Sequence, residues 1–201
     1  MKNFWNTKAQ EPGAITPEQG PDEGAVNSLL CNIPAQELEG SSLLDLGCGE
    51  GRLLAILSKR VAKYTGADIS SVALSRAREL VTKKDLHNVT LIELPEGEKG
   101  ILGDIGLFDI VVSYTVFMHL PPEIVEAYMK SIHDALKTRG YFNFQMAAAV
   151  HPRFDRIPKD DFWTSRYYPD LWVVEHLKKV GFGIAGVPVG LSECWLTIRM
   201  D

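Results

Sequence analysis

Apolar and polar positions alternate along this chain in two rhythms, one of period two or less and one of helical period, and the switches between them mark out its elements. Ser42 to Leu46 is a short apolar run ending in Gly47, the pattern of a buried strand. From Glu50 to Ala62, Leu53, Leu54, Ile56, Leu57 and Val61 recur at helical spacing and predict a helix. Tyr64 to Ile69 reads as strand, Ser71 to Lys84 as helix, and Val89 to Leu94 and Phe108 to Ser113 as strands. Pro122 to Leu136 is a predicted helix, with Pro122 suited to a first turn. Tyr141 to Ala147 follows as strand, Asp170 to Val180 as helix, and Gly183 to Val189 and Cys194 to Met200 as the last strands.

Strands that alternate with helices from residue 42 to 180 imply a doubly wound α/β domain with a mostly parallel sheet covered on both faces. The ending differs. Only Gly190 to Glu193 separates the last two strands, too few residues for a crossover, so they are expected to form an antiparallel hairpin. Ahead of this pattern, residues 1–24 carry three prolines and three glycines, are otherwise polar and show no clear period. They read as an N-terminal arm or flap, with the folded domain spanning 25–201. Around Asp22 a helix can begin, with Val26, Leu29 and Leu30 on one side, and stop near Pro34.

At 201 residues the chain suits one domain, and 45% hydrophobic with 23% charged residues is ordinary for a globular protein. Twenty-one basic residues against 26 acids leave a formal charge of −5, which argues against a nonspecific nucleic-acid or anionic-membrane binder. Cys31, Cys48 and Cys194 form neither an even framework nor a close pair, so no metal is expected and a reducing compartment is. The N-terminal residues lack the apolar stretch of a signal peptide. Phe108 to Leu120 is interrupted by Asp109, Ser113 and His119, well short of a spanning helix. A cytoplasmic protein with no membrane partner is expected.

The stretch Leu43-Leu44-Asp45-Leu46-Gly47-Cys48-Gly49-Glu50-Gly51-Arg52 carries the most chemistry. A predicted strand runs into a glycine-rich turn and then into a predicted helix, where the chain must turn sharply and let a ligand approach its backbone. The start of that helix would present free N–H donors to an anionic group. Yet a dinucleotide fingerprint counted from Gly47 requires Gly or Ala where Arg52 stands, and Asp45 at the strand end is poorly placed beside a diphosphate. An acid there suits a ligand with a positive group. Asp68 closes the second strand about 20 residues beyond the loop, where a carboxylate chelates a ribose diol.

LLDLGCGEGR, TGADIS and FDIVVSYTVFMHLP together resemble the first, second and fourth motifs of the class I S-adenosylmethionine-dependent methyltransferases, over the chain from about Ser42 to its end. The resemblance implies a Rossmann-like, seven-stranded sheet, mostly parallel with the last strand antiparallel. It implies S-adenosyl-L-methionine as cofactor and S-adenosyl-L-homocysteine as product. It places Gly47 and Gly49, with Cys48 between them, beside the methionine and ribose part, Asp68 on the ribose hydroxyls and Ile69 on the adenine. Asp45, directly or through water, and the backbone carbonyl of Ser113 would reach the amino group. Where the family often has an acid after the third strand, this chain has Pro95, so adenine recognition falls to backbone groups around Leu94 or to Glu96.

The expected activity is transfer of a methyl group to an O or N of a small molecule. A non-catalytic S-adenosylmethionine-binding protein or partner subunit of the same fold is the alternative; Arg52 and the terminal hairpin count against a NAD-dependent oxidoreductase. A nucleic-acid substrate is disfavoured, since the fourth strand ends Ser113-Tyr114-Thr115-Val116 rather than in the N/D-P-P-Y/F tetrad of base-amino methylating enzymes. A sulfonium methyl is already activated, so positioning dominates and a base helps only where the acceptor must lose a proton. His151 and His119 are the candidates for that base, although His119 reads equally as a fastening of the Pro121-Pro122 helix. Cys48 lacks a nearby His and reads as a packing residue rather than a nucleophile. Val150 to Tyr168, rich in Arg and aromatics, is either a lid over the acceptor or a loop packing on the sheet edge. Trp5 and Phe4 mark a disordered tip or a flap that closes over the cofactor. A monomer or homodimer is expected.

Overall fold

Residues 42–46 have apolar neighbours to bury on both sides, and in the computed structural model they form the strand on which the sheet is built. The structure describes residues 1–11, 23–31, 33–95, 102, 104–146, 157–186 and 194–199. The strands are β1 (Ser42–Leu46), β2 (Lys63–Asp68), β3 (Val89–Glu93), β4 (Phe108–Ser113), β5 (Leu136–Gln145), β6 (Phe182–Gly186) and β7 (Cys194–Arg199). The helices are α1 (Lys2–Gln10), α2 (Glu23–Leu30), α3 (Ala35–Glu39), α4 (Leu54–Leu57), α5 (Ser71–Lys84), α6 (Pro122–Ala135) and α7 (Asp170–Val180), with a 3-10 turn at Phe117–His119. The sheet order is β3-β2-β1-β4-β5-β7-β6. The first five strands pair in parallel. β7 lies antiparallel to both β5 and β6.

Side-chain alternation along β1 divides the core. Leu44 and Leu46 face one layer, packed with Val125, Met129 and Ile132 of α6 and Val173 and Leu177 of α7. Leu43 faces the other, with Val26 and Leu29 of α2 and Leu54 and Leu57 of α4. The chain leaves β1 towards β2 and β3 on one side, while β4 and β5 lie on the other. The strand order therefore reverses at the β1–β4 pair, where a crevice opens beyond the carboxyl ends of the strands.

Three expectations are corrected. The helix expected over 50–62 is confined to Leu54–Leu57, because Gly51, at φ +91°, continues the turn past the glycine loop and the apolar residues of the segment are buried from turns instead. β5 starts at Leu136 rather than Tyr141, directly after α6. The aperiodic arm contains a helix: α1 buries only Ala9 completely and is otherwise mostly polar, so it has no amphipathic stripe to read. Tertiary contacts fix it instead. Asn6 accepts a 2.9 Å hydrogen bond from the Ser70 hydroxyl at the start of α5, and Lys2 pairs with Glu93 at the end of β3. Among the described residues no helix is long and apolar enough to cross a membrane.

Candidate functional site

After Leu46 the chain must reverse beneath the end of β4, and the glycine loop makes that turn. Gly47 sits at φ +76°, and a Cβ there would come within 2.3 Å of Val116 Cγ2. No L-residue fits without moving Val116, so the glycine keeps a narrow backbone passage open. The loop amides turn inward. Gly47 N–H and Cys48 N–H both donate to the Ala67 carbonyl, at 2.7 and 3.2 Å, and Gly51 N–H donates to the Cys48 carbonyl at 3.0 Å. Gly49 N–H donates to Asp68 Oδ2 at 2.8 Å. The anion-binding reading of this loop is thereby corrected: those amides are occupied, and α4 has a single turn. Arg52, the misfit to a dinucleotide fingerprint, lies over the Tyr114 ring at 5.2 Å.

Asp68 ends β2 with both carboxylate oxygens held, Oδ2 by Gly49 N–H and Oδ1 by Ser70 N–H, each at 2.8 Å. Burial raises its pKa, and the amides of Ser70, Gly49 and Ile69 oppose the rise. Each oxygen keeps a further lone pair for a ligand. Asp68, Gly47, Gly49, Ile69 and Leu94 line a cleft of about 670 Å³, a volume that includes the open solvent at its mouth. Thr115, Val116, Leu120 and Tyr128 also line it, as do Met1 and Trp5 of the α1 region.

Asp45, Cys48 and Ser113 are not on that lining. Asp45 is 2% exposed and accepts a 2.6 Å bond from the Tyr64 hydroxyl beneath the loop, which corrects its expected direct reach to a ligand amino group and leaves the route through water. Loss of solvent pushes its pKa up to about 7, against the Tyr64 hydrogen bond and with the Asp68 charge adding to the rise. The Ser113 hydroxyl donates to the Leu46 carbonyl at 3.0 Å and ties β4 to β1. Burial pushes the Cys48 thiol well up, with the charges of Asp45 and Asp68 adding. A thiol held protonated is a poor nucleophile.

His119 stands at the rim rather than on the cleft wall. Its Nδ1 lies 3.1 Å from the Trp163 carbonyl, which only accepts, so Nδ1 carries the proton and Nε2 the lone pair. Burial lowers its pKa, which favours neutral imidazole. Trp5 packs edge-on against the ring at 5.6 Å. The described part of the long connection is strapped to this turn: Arg166, fully buried, donates to the His119 carbonyl at 2.8 Å and the Pro158 carbonyl at 2.7 Å. The Tyr168 hydroxyl donates to the Leu120 carbonyl at 2.6 Å. Phe162 and Trp163 meet α1 through Phe4 and Lys8. His151, Arg153, Arg156 and Glu96 lie outside the described residues.

Sequence reading missed Thr115, Val116, Leu120 and Tyr128. Thr115 and Val116 follow the strand end directly, and Thr115 adopts φ +58°, a conformation that nothing in its residue type announces. Tyr128 shares the helical spacing of the buried face of α6, so it reads as ordinary core. Among the described residues no cluster of His, Cys, Asp and Glu could hold a metal ion.

The same fold occurs in magnesium protoporphyrin IX methyltransferase from Synechocystis PCC 6803, solved with bound SAH. The two superpose with a TM-score of 0.74 at 18% identity, over 98% of this chain and 97% of that one. The ubiquinone biosynthesis O-methyltransferase of Pasteurella multocida is 30% identical over 130 residues, 59% of this chain and 52% of that protein. The release factor glutamine methyltransferase of Caulobacter vibrioides is 34% identical over 127 residues, 62% and 42% respectively. The chain thus spans about half the length of the curated relatives it matches. A family model described as a methyltransferase domain matches residues 44–142, from β1 through the glycine loop and Asp68 into β5. This match and the shared fold support a place for the chain among the class I S-adenosylmethionine-dependent methyltransferases.

Proposed function

We propose that this protein binds S-adenosyl-L-methionine in the cleft beyond β1 and β4 and transfers its methyl group to an O or N of a small-molecule acceptor. The observation that carries the reading is Asp68: a half-buried carboxylate at the end of β2, pinned by two backbone amides, on the wall of a cleft that Gly47 keeps open. A carboxylate so held is pre-oriented to chelate a ribose diol. The inward-turned loop amides favour this ligand over a dinucleotide, whose diphosphate needs outward donors. The Asp68 carboxylate on the cleft lining also favours a ligand carrying positive rather than negative charge. The seven-strand order with β7 reversed supports the same reading of the sheet.

When bound, the cofactor supplies an activated methyl group. The chain's part is then to exclude water and align the acceptor. Met1 and Trp5 close the cleft, held there by the Asn6–Ser70 bond and the Lys2–Glu93 pair. Phe4, Trp5, His119, Phe162 and Trp163 make an aromatic rim on one side, which suits a flat, partly apolar acceptor. The relatives' names span quinone, porphyrin and protein substrates; the aromatic rim and the formal charge of −5 favour the small molecules. For a hydroxyl acceptor, His119 Nε2 is the base we assign, since its Nδ1 proton is committed to Trp163.

Thermal unfolding with S-adenosylmethionine, S-adenosylhomocysteine and NAD, for wild type and Asp68→Ala, tests the reading. A ligand at 100 times its Kd stabilises by about 2.7 kcal/mol, roughly 5–10 °C in Tm for a domain of this size. The expected result is a rise with both adenosyl compounds that Asp68→Ala abolishes. No rise with either overturns the proposal, and a rise with NAD alone replaces it. Turnover against a panel of hydroxyl and amine acceptors then separates an enzyme from a non-catalytic binder.

A further inference from the structure

Of the four carboxylate and hydroxyl side chains that line the cleft, three are already engaged. Asp68 accepts from two amides. The Ser70 hydroxyl donates to Asn6 and accepts from Ala73 N–H. The Thr115 hydroxyl donates to the Tyr114 carbonyl. Tyr128 is different. It is 5% exposed, it lines the cleft from α6, and among the described residues its hydroxyl has no hydrogen-bond partner. Its ring is held edge-to-face against Phe117 at 6.0 Å, which fixes the side chain's direction. A hydroxyl that lines a ligand cleft and bonds no protein group is available to a ligand group.

The neighbours narrow what that group is. Ile69, Ala73 and Leu94 surround the Asp68 end of the cleft and offer flat apolar contact but no side-chain hydrogen bond. Pro95, next along the chain, has no polar side chain either. A base attached to a ribose held by Asp68 would lie among these residues, whose side chains offer its polar edge no hydrogen bond. Burial and the charge of Asp68 both raise the Tyr128 pKa, so the phenol stays protonated and acts as a donor. Building on the S-adenosylmethionine reading of the cleft, we infer that Tyr128 reads the nucleobase, its hydroxyl donating to an unprotonated ring nitrogen of the adenine.

Calorimetric binding of S-adenosylhomocysteine and its 1-deaza, 3-deaza and 7-deaza analogues to wild type and Tyr128→Phe tests this. Each analogue replaces one acceptor nitrogen by CH, and phenylalanine keeps the ring packing on Phe117. Wild type is expected to bind one analogue roughly tenfold more weakly than the parent, the scale of one lost hydrogen bond. Tyr128→Phe is expected to bind the parent roughly tenfold more weakly than wild type does, and that analogue no worse than the parent. A variant that keeps the wild-type preference among analogues, or weakens all four by one factor, overturns the inference and leaves the cofactor reading intact. Failure of wild type to bind S-adenosylhomocysteine at all overturns both.

Discussion

Replacing Asp45 by asparagine removes a titration that burial has moved into the neutral range. The carboxyl is 2% exposed, bonded to Tyr64 and pushed from the ordinary value of 3.8 up to about 7. Between these two values the folded chain retains a proton that the unfolded chain has released, so stability falls as pH rises. At 1.36 kcal/mol per unit, a rise of about three units corresponds to about 4 kcal/mol lost between roughly pH 4 and 7. Asparagine keeps an oxygen to accept from Tyr64 and does not ionise. Urea unfolding of wild type and Asp45→Asn at half-unit steps from about pH 4.5 to 8 isolates this group from the other carboxylates. The stability of the variant relative to wild type should grow with pH by about 3–4 kcal/mol and level off above pH 7. A difference that stays constant over the range would mean that Asp45 is ionised throughout, and the account of a desolvated acid beneath the loop would fail.

Three further outcomes are expected. Gly47→Ala forces a side chain into a left-handed position 2.3 Å from Val116 Cγ2, at a cost on the order of 2–5 kcal/mol; Tm should fall by roughly 5–15 °C, and adding Val116→Ala should restore only the steric part. Trp5→Ala opens the cover of the cleft, so calorimetry should show S-adenosylhomocysteine affinity falling about tenfold, the scale of one aromatic contact, while the Tm of the free protein moves little. His119→Gln should lower kcat by roughly 10²–10⁴-fold for a hydroxyl acceptor. In wild type that activity should be lost as pH falls through a value below the ordinary 6.5, because burial disfavours the imidazolium; an unchanged pH profile in the variant would make His119 a purely structural residue.

Much of the site lies in one continuous stretch of sequence. Leu43 to Leu46 is apolar enough to be a central strand, and the glycines behind it announce a tight turn whatever surrounds them. Asp68 was legible too, because strand, loop, helix and second strand place a carboxylate at a fixed separation. α1 was not legible, since Lys2, Asn3, Asn6 and Lys8 hide any apolar stripe and the helix depends on Ser70, Glu93, Phe162 and Trp163 far along the chain.

The sequence by itself determined the alternation of strand and helix, the reversal at Gly47 and the carboxylate at the end of β2. These depend on periodicity, backbone freedom and spacing, which belong to consecutive residues. Only the tertiary structure decided that the loop amides turn towards Ala67 and Asp68, that Asp45 pairs with Tyr64, and that Tyr128 faces the cleft. Those outcomes depend on which strand lies beside β1 and how α6 is rotated on the sheet. A hydrogen bond or a pocket wall is set by distances between segments, and no local pattern encodes those distances.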